Sequence, residues 1–215
     1  LNIPSGSTLG IIGGTGSGKS SLVQLIPRLY DVTEGSVKIG GVDVRDIDIY
    51  TLRNEVAMVL QKNVLFSGTI KENLRWGDKE ATDEEIVAAC ESAQAHDFIM
   101  SLPDGYSTIL KEDATNISGG QKQLLSLARA LLTSSEIILL DEVTSSLDPN
   151  TTNKIINLLD DLKTDHTIIV ITHNKDLMRR ADKLVVLNNG KIECIGNNDD
   201  LIKKNKVYKQ LVTED

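Results

Sequence analysis

The chain has 215 residues, 40% apolar, 25% charged and only 3% aromatic, with a formal net charge of -8. That is the composition of a folded globular protein of one domain with room for an attached lobe, and the acidic balance and scarcity of aromatic rings argue against a nucleic-acid partner, which calls for a basic face. Cys90 and Cys194 stand apart without CxxC spacing, so neither a disulfide framework nor a thiolate metal site is expected, and a reducing, cytosolic setting fits.

The opening LNIPSG has neither a basic n-region nor an apolar h-region and reads as the interior of a longer polypeptide. TLGII (8 to 12) is a short continuous apolar run, the pattern of a strand buried on both faces. GGTGSGKS (13 to 20) follows it directly and satisfies G-x-x-x-x-G-K-[ST] at the start of an apolar helix. There, backbone N–H groups can wrap phosphate oxygens, Lys19 can bridge the β and γ phosphates, and Ser20 can ligate Mg²⁺. The helix presents Leu22, Val23, Leu25, Ile26 and Leu29 on one side, with Pro27 distorting its end. VAMVL (56 to 60) is the next strand, and Gln61 at its end can touch Mg²⁺ or the attacking water.

From Gln61 to Thr133 strand-like runs vanish and capped helices take over. Thr82 and Glu85 form a capping box, and Pro103, Asp104 and Gly105 a turn, so this stretch reads as a helical lobe inserted into a sheet domain. IILL (137 to 140) is a buried strand that delivers Asp141 and Glu142 at its exit, where ligands meet an α/β sheet. Asp141 suits Mg²⁺, and Glu142 suits orienting or deprotonating water. A helix over 151–163 buries Ile155, Ile156, Leu158, Leu159 and Leu162. TIIVI (167 to 171) leads to His173, placed to reach a γ-phosphate oxygen or the lytic water. KLVVL and KIECIG flank an Asn-Gly hairpin turn, and 199–212 reads as a closing helix. His96 and His166 read as ordinary structural histidines, and the succession of buried strands and helices makes an α/β fold. The longest apolar runs fall far short of the roughly 18 to 20 residues that cross a bilayer.

The stretch ISGGQKQ (117 to 123) fits a second capping box, with Ser118 at the N-cap and Gln121 at N3. A capping box does not account for Gly119 and Gly120, which cost helix stability. They make sense where exposed N–H groups approach a ligand closely, so this helix start reads as a second anion site.

GGTGSGKS, Gln61, ISGGQ, IILLDE, SSLD (145 to 148) and His173, in this order and spacing, resemble the nucleotide-binding domain of an ABC transporter over essentially the whole chain. The resemblance implies a phosphate-loop (RecA-like) sheet core of residues 1–62 and 134–215, with antiparallel edge strands, and an inserted α-helical subdomain, 63–133, carrying the signature. It implies ATP and Mg²⁺ as ligands. ATP would be held by Gly13, Gly14, Thr15, Gly16, Ser17, Gly18, Lys19, Ser20 and Ser21 with Gln61 and His173, and Mg²⁺ by Ser20, Gln61 and Asp141. Glu142 would be the catalytic base, assisted by His173, Gln61 and Lys19. The family's head-to-tail dimer, of two identical or two different domains, would bring Ser118, Gly119, Gly120, Gln121 and Asp148 of one copy onto the ATP of the other.

VLFSGTIKENL (64 to 74) resembles exporters, whose helical lobe and glutamine loop receive the membrane domain; the expected location is the cytoplasmic face of the cell membrane. LKEDATNISGGQ carries an exporter-type glutamate at Glu112, with Lys111 and Ala114 in place of the usual flanking glycines. Ile117 replaces the commoner leucine and Leu124 an arginine. The family's adenine-stacking aromatic lies farther upstream than the twelve residues before Gly13, so weaker nucleotide binding is expected than for a chain extended there. A soluble ABC-type ATPase acting on nucleic acid or the ribosome, and a nucleotide-binding module without turnover, stay open. The first is disfavoured by the acidic charge and by the 55 residues between Gln61 and Ile117, too few for a long coiled coil.

Overall fold

The computed structural model describes Leu1–Thr213. In chain order the first elements are β1 (Thr8–Gly13), α1 (Lys19–Gln24), β2 (Lys38–Ile39), β3 (Val42–Asp43), α2 (Ile49–Asn54), β4 (Val56–Val59), β5 (Gly68–Thr69), α3 (Ile70–Leu74), α4 (Asp83–Ser92) and α5 (His96–Ser101). They are followed by β6 (Ile109–Leu110), α6 (Gly119–Leu131), β7 (Ile137–Asp141), α7 (Pro149–Leu162), β8 (Thr167–Ile171), α8 (Lys175–Arg180), β9 (Lys183–Asn188), β10 (Lys191–Gly196), α9 (Asn198–Lys204) and α10 (Lys206–Thr213). Among the described residues no helix is long and apolar enough to cross a membrane.

The chain forms two compact units. The first holds Leu1–Ala57, Ser135–Glu142 and the described residues from Leu162 onward. Its framework is a mostly parallel sheet ordered β10-β9-β1-β8-β7-β4. β1 lies between β8 and β9, parallel to both, and is buried along its whole length. The apolar runs of β7, β8 and β9 are likewise buried; strands covered on both faces have no polar face to show, which is why their sequences do not alternate. β10 returns antiparallel beside β9, with an irregular register between Ile192 and Cys194. The reversal is made by Asn189 (φ 49°) and Gly190 (φ 75°), the paired left-handed residues of a two-residue hairpin turn.

Two expectations fail in this unit. The helix after the phosphate loop stops at Gln24. Proline disfavours helical geometry in the residue before it, and the amides of Leu25 and Ile26 donate to Leu22 O (3.3 Å) and Val23 O (3.1 Å), three residues back, ahead of Pro27. The 3.6-residue stripe is lost there, leaving Leu29 44% exposed. The closing segment is two helices. Asn205, extended at φ -117°, ψ 117°, ends α9, and its side chain accepts from Tyr208 N (2.7 Å) to start α10. Tyr208 is thereby buried with Ile12, Met178, Leu184, Val186 and Leu201.

The second unit holds Met58–Ser134 and Val143–Asp161. Capping boxes start α3 (Thr69, Glu72), α4 (Thr82, Glu85) and α6 (Ser118, Gln121). The stretch expected to lack strands contains a two-residue pair, β5 with β6, too short to show any periodicity. α7 buries Thr152, Ile155, Ile156 and Leu159, while Leu158 and Leu162 are half-buried.

Candidate functional site

In the first unit the site grows from the end of β1. Gly13 closes the strand where any side chain would strike β9, since a Cβ there would lie 2.3 Å from the Leu187 carbonyl. Gly14 is the opposite case, with nothing within 4 Å of its missing Cβ. Gly16 (φ 76°) and Gly18 (φ 94°) take left-handed conformations that side chains disfavour. Thr15 and Ser21 are exposed and Ser17 is buried. Gly18 precedes α1 with no side-chain cap on the helix start, so the first-turn amides face outward as an anion cradle. Lys19 is 9% exposed, and its Nζ donates to Gly13 O (2.7 Å) and Gly14 O (3.0 Å). The ammonium is thus held over the loop.

One residue on, Ser20 Oγ donates to Asp141 Oδ2 at 2.8 Å, tying the loop to the end of β7. Asp141 is 6% exposed and registers beside Ile171 of β8. Glu142 follows at φ 52°, a left-handed backbone that costs a side-chain-bearing residue roughly 1 to 3 kcal/mol. Its N–H donates to Ile171 O at 2.9 Å. His173 Nε2 lies 3.6 Å from Glu142 Oε1, longer than a hydrogen bond, so the two attract when the imidazole is protonated. Loop, acid pair and histidine therefore meet at the ends of β1, β7 and β8.

Ser20 and Asp141 offer a hydroxyl and a carboxylate, the hard oxygen donors that suit Mg²⁺. Among the described residues no group of three or more His, Cys, Asp or Glu is placed to hold a metal ion by itself. A partial oxygen shell of this kind fits an ion that is also held by phosphate oxygens.

In the second unit Gln61 is exposed in a bend after β4. Ser118 Oγ accepts from Gln121 N (3.2 Å), and Ser118 N donates to Gln121 Oε1 (2.9 Å), as the capping box requires. The two glycines beside them differ. A Cβ on Gly120 would lie 2.7 Å from the Ser146 carbonyl, whereas one on Gly119 would meet nothing nearer than Ser146 Oγ at 4.0 Å. Gly120 is thus needed by the protein's own packing, a structural reason for glycine that Gly119 lacks. Asp148 caps α7, accepting from Asn150 N (3.0 Å) and Thr151 N (3.1 Å), and hydrogen bonds from Thr151 hold its carboxyl below the ordinary range. Glu112 is exposed in a 3-10 turn, and Ala114, standing where a glycine is usual, keeps a left-handed backbone (φ 48°).

His96 Nδ1 pairs with Tyr106 OH at 2.9 Å, and His166 Nδ1 with Ser135 O at 2.8 Å, ordinary structural partners. Sequence reasoning passed over Arg129 and Asn73, which are bonded to each other inside this unit. The signals were an asparagine in a short helix and an arginine within LARALL.

A family model described as "ABC transporter" matches residues 1–145. The chain is 46% identical over 213 residues to the "Putative multidrug export ATP-binding/permease protein YgaD" of Bacillus subtilis, covering 99% of this chain and 37% of that protein. A Staphylococcus aureus protein of the same description is 46% identical over 211 residues, covering 98% and 36%. The chain thus spans a little over a third of the curated relatives it matches. Among solved structures, a bacterial Atm1-family ABC exporter with ATP bound superposes with a TM-score of 0.95 at 34% identity, over 98% of this chain and 37% of that one.

Proposed function

The chain belongs to the ABC transporter family, and we propose that it is the ATP-hydrolysing motor domain of an exporter, working at the cytoplasmic face of a membrane with a transmembrane domain and a second nucleotide-binding domain. The observation that carries the ATP-hydrolysing part of this reading is the Ser20–Asp141 hydrogen bond of 2.8 Å, with Lys19 before it and the Glu142–His173 pair after it; the similarity to export ATP-binding/permease proteins supports the exporter part. The hydrogen bond joins a phosphate loop to the end of a strand that presents a carboxylate.

In this reading residues 1–62 and 134–215 are the ATP-binding core, and 63–133 the helical subdomain. Gly14, Gly16 and Gly18 leave backbone amides open to phosphate, while Lys19 offers its ammonium to the β and γ oxygens. Ser20 and Asp141 would hold Mg²⁺, which would supply charge neutralisation on the phosphates. Glu142 takes the proton from water as it attacks the γ-phosphorus in line, the bond to the β–γ bridging oxygen breaks to release ADP and inorganic phosphate, and His173 donates to a γ-oxygen or to that water. Ser118 and Gly119 of a second copy, with its Asp148, complete the site, so an isolated monomer is a poor enzyme.

Steady-state phosphate release tests the assignment. Glu142→Gln should bind ATP and release no phosphate, whereas Lys19→Ala should lose ATP binding itself. Undiminished turnover by the Glu142→Gln variant would remove Glu142 from the base's role.

A further inference from the structure

Arg129 lies in the last turn of α6, yet its guanidinium turns into the unit. Nε donates to Asn73 O (2.9 Å), Nη1 to Val64 O (3.1 Å) and Nη2 to Asn73 Oδ1 (3.4 Å). Asn73 is 2% exposed. Its Nδ2 donates to Phe66 O (2.8 Å) and Thr69 O (3.0 Å), and its Oδ1 accepts from Phe66 N (2.8 Å). One guanidinium and one amide therefore fix the backbone at residues 64, 66, 69 and 73.

Two of these, 64 and 66, lie outside any helix or strand. Between Val59, where β4 ends, and Gly68, where β5 begins, no regular ladder satisfies the backbone, and Leu65 is its buried apolar anchor. Chain without a ladder needs partners from side chains, and the planar fork of arginine serves two carbonyls and an amide oxygen at once where a lysine ammonium cannot match the geometry. Among the described residues no carboxylate is bonded to Arg129, and burial pulls its pKa down. A cation kept half-buried without an acid carries a desolvation cost that an outward-facing arginine at the same helix position would avoid. Gly77 packs on the same helix end, where a Cβ would lie 2.2 Å from Arg129 O.

We propose that Arg129 is a positioning residue for the hydrolysis described above, on which this inference rests: through Asn73 it holds residues 64–66, and with them the preceding Gln61, in register with the helix that Ser118, Gly119 and Gly120 open. The same clamp carries an optical reporter. Phe66, bonded at both N and O by Asn73, stacks on Trp76 with ring centroids 4.8 Å apart and planes at 30°, and Trp76 is the single tryptophan of the sequence.

The test compares Arg129→Lys with Asn73→Asp, the second keeping the acceptor for Arg129 while losing both donations to Phe66 and Thr69. In folded protein, checked by circular dichroism, acrylamide quenching of Trp76 fluorescence should rise in both variants. kcat per ATP-binding site should fall about tenfold or more while KM for ATP stays within about twofold, the signature of geometry lost at a distance from bound substrate. Lower melting temperature with unchanged quenching and unchanged kcat per site would overturn the proposal and leave Arg129 a packing residue. If Arg129→Lys fails to fold, Asn73→Asp alone decides by the same two readouts. Should the unsubstituted protein release no phosphate with ATP and Mg²⁺, the functional reading falls; the quenching comparison then stands by itself, and unchanged quenching overturns the clamp.

Discussion

Replacing Gly119 and Gly120 one at a time by alanine separates what the fold needs from what a ligand needs. At Gly120 the new methyl would lie 2.7 Å from Ser146 O and 3.4 Å from Leu147 Cδ2, and the carbonyl is backbone in the turn that leads into α7, whose start Asp148 caps. Such overpacking costs about 1 to 3 kcal/mol, offset by at most about 1 kcal/mol of helix propensity gained over glycine, so Gly120→Ala should destabilise by up to about 3 kcal/mol. At Gly119 the nearest atom is 4.0 Å away, and propensity alone acts, so Gly119→Ala should be neutral or more stable by up to about 1 kcal/mol. For a chain of this size each kcal/mol moves the melting temperature by about 2 to 4 °C. Calorimetry without nucleotide should therefore rank Gly119→Ala at or above the parent protein and Gly120→Ala below it. In a Glu142→Gln background, ATP-driven association measured by size exclusion should be lost in Gly119→Ala despite its intact fold. A Gly119→Ala protein that melts as low as Gly120→Ala would refute the separation, and one that still associates with ATP would refute the ligand role.

The phosphate loop divides in the same way. Gly13→Ala should lower the melting temperature, because its methyl would strike Leu187 O, while Gly14→Ala should melt as the parent does and lose ATP affinity in titration calorimetry. Glu72 and Glu85 reach back to the amides of Thr69 and Thr82, and these bonds hold both carboxyls below the ordinary range. Their stabilisation of α3 and α4 is therefore complete above the unfolded carboxyl pKa, about 4.3, and is lost as pH falls through the depressed folded values. The Gln121 box of α6 carries no titrating group, so hydrogen exchange in the first turns of α3 and α4 should accelerate relative to α6 as pH falls below about 4.3; an unchanged ratio among all three would contradict it. Burial pushes the Cys90 thiol up to about 11, and mass spectrometry after brief iodoacetamide treatment at neutral pH should find Cys194 modified ahead of Cys90.

The strands of the sheet were legible because a layer buried on both faces demands unbroken apolar runs, as in TIIVI, and the Asn189-Gly190 turn because its backbone tolerates few other residues. Chemistry in linear order was legible too: GGTGSGKS, IILLDE and ISGGQ each carry their local geometry. What escaped depends on partners remote in sequence. Arg129 meets Asn73 across 56 positions. That packing also demands glycine at position 120, through the Ser146 carbonyl, is invisible in a one-dimensional reading. The early stop of α1 is half legible, since Pro27 marks the helix end but its restriction of Ile26 brings the stop back to Gln24. The break at Asn205 interrupts an apolar pattern that runs through both helices, so only the preference of asparagine for helix starts marks it.

Mixing two inactive proteins tests the shared site most directly. Lys19→Ala destroys the phosphate loop, and Gly119→Ala the signature, so in a head-to-tail pair formed from one of each, one of the two composite sites keeps both halves intact. Each variant alone should release no phosphate, and an equal mixture should recover about a quarter of the parent rate, since random pairing makes half the dimers mixed and each of those has one good site of two. A mixture as silent as its components would contradict a site built from two copies.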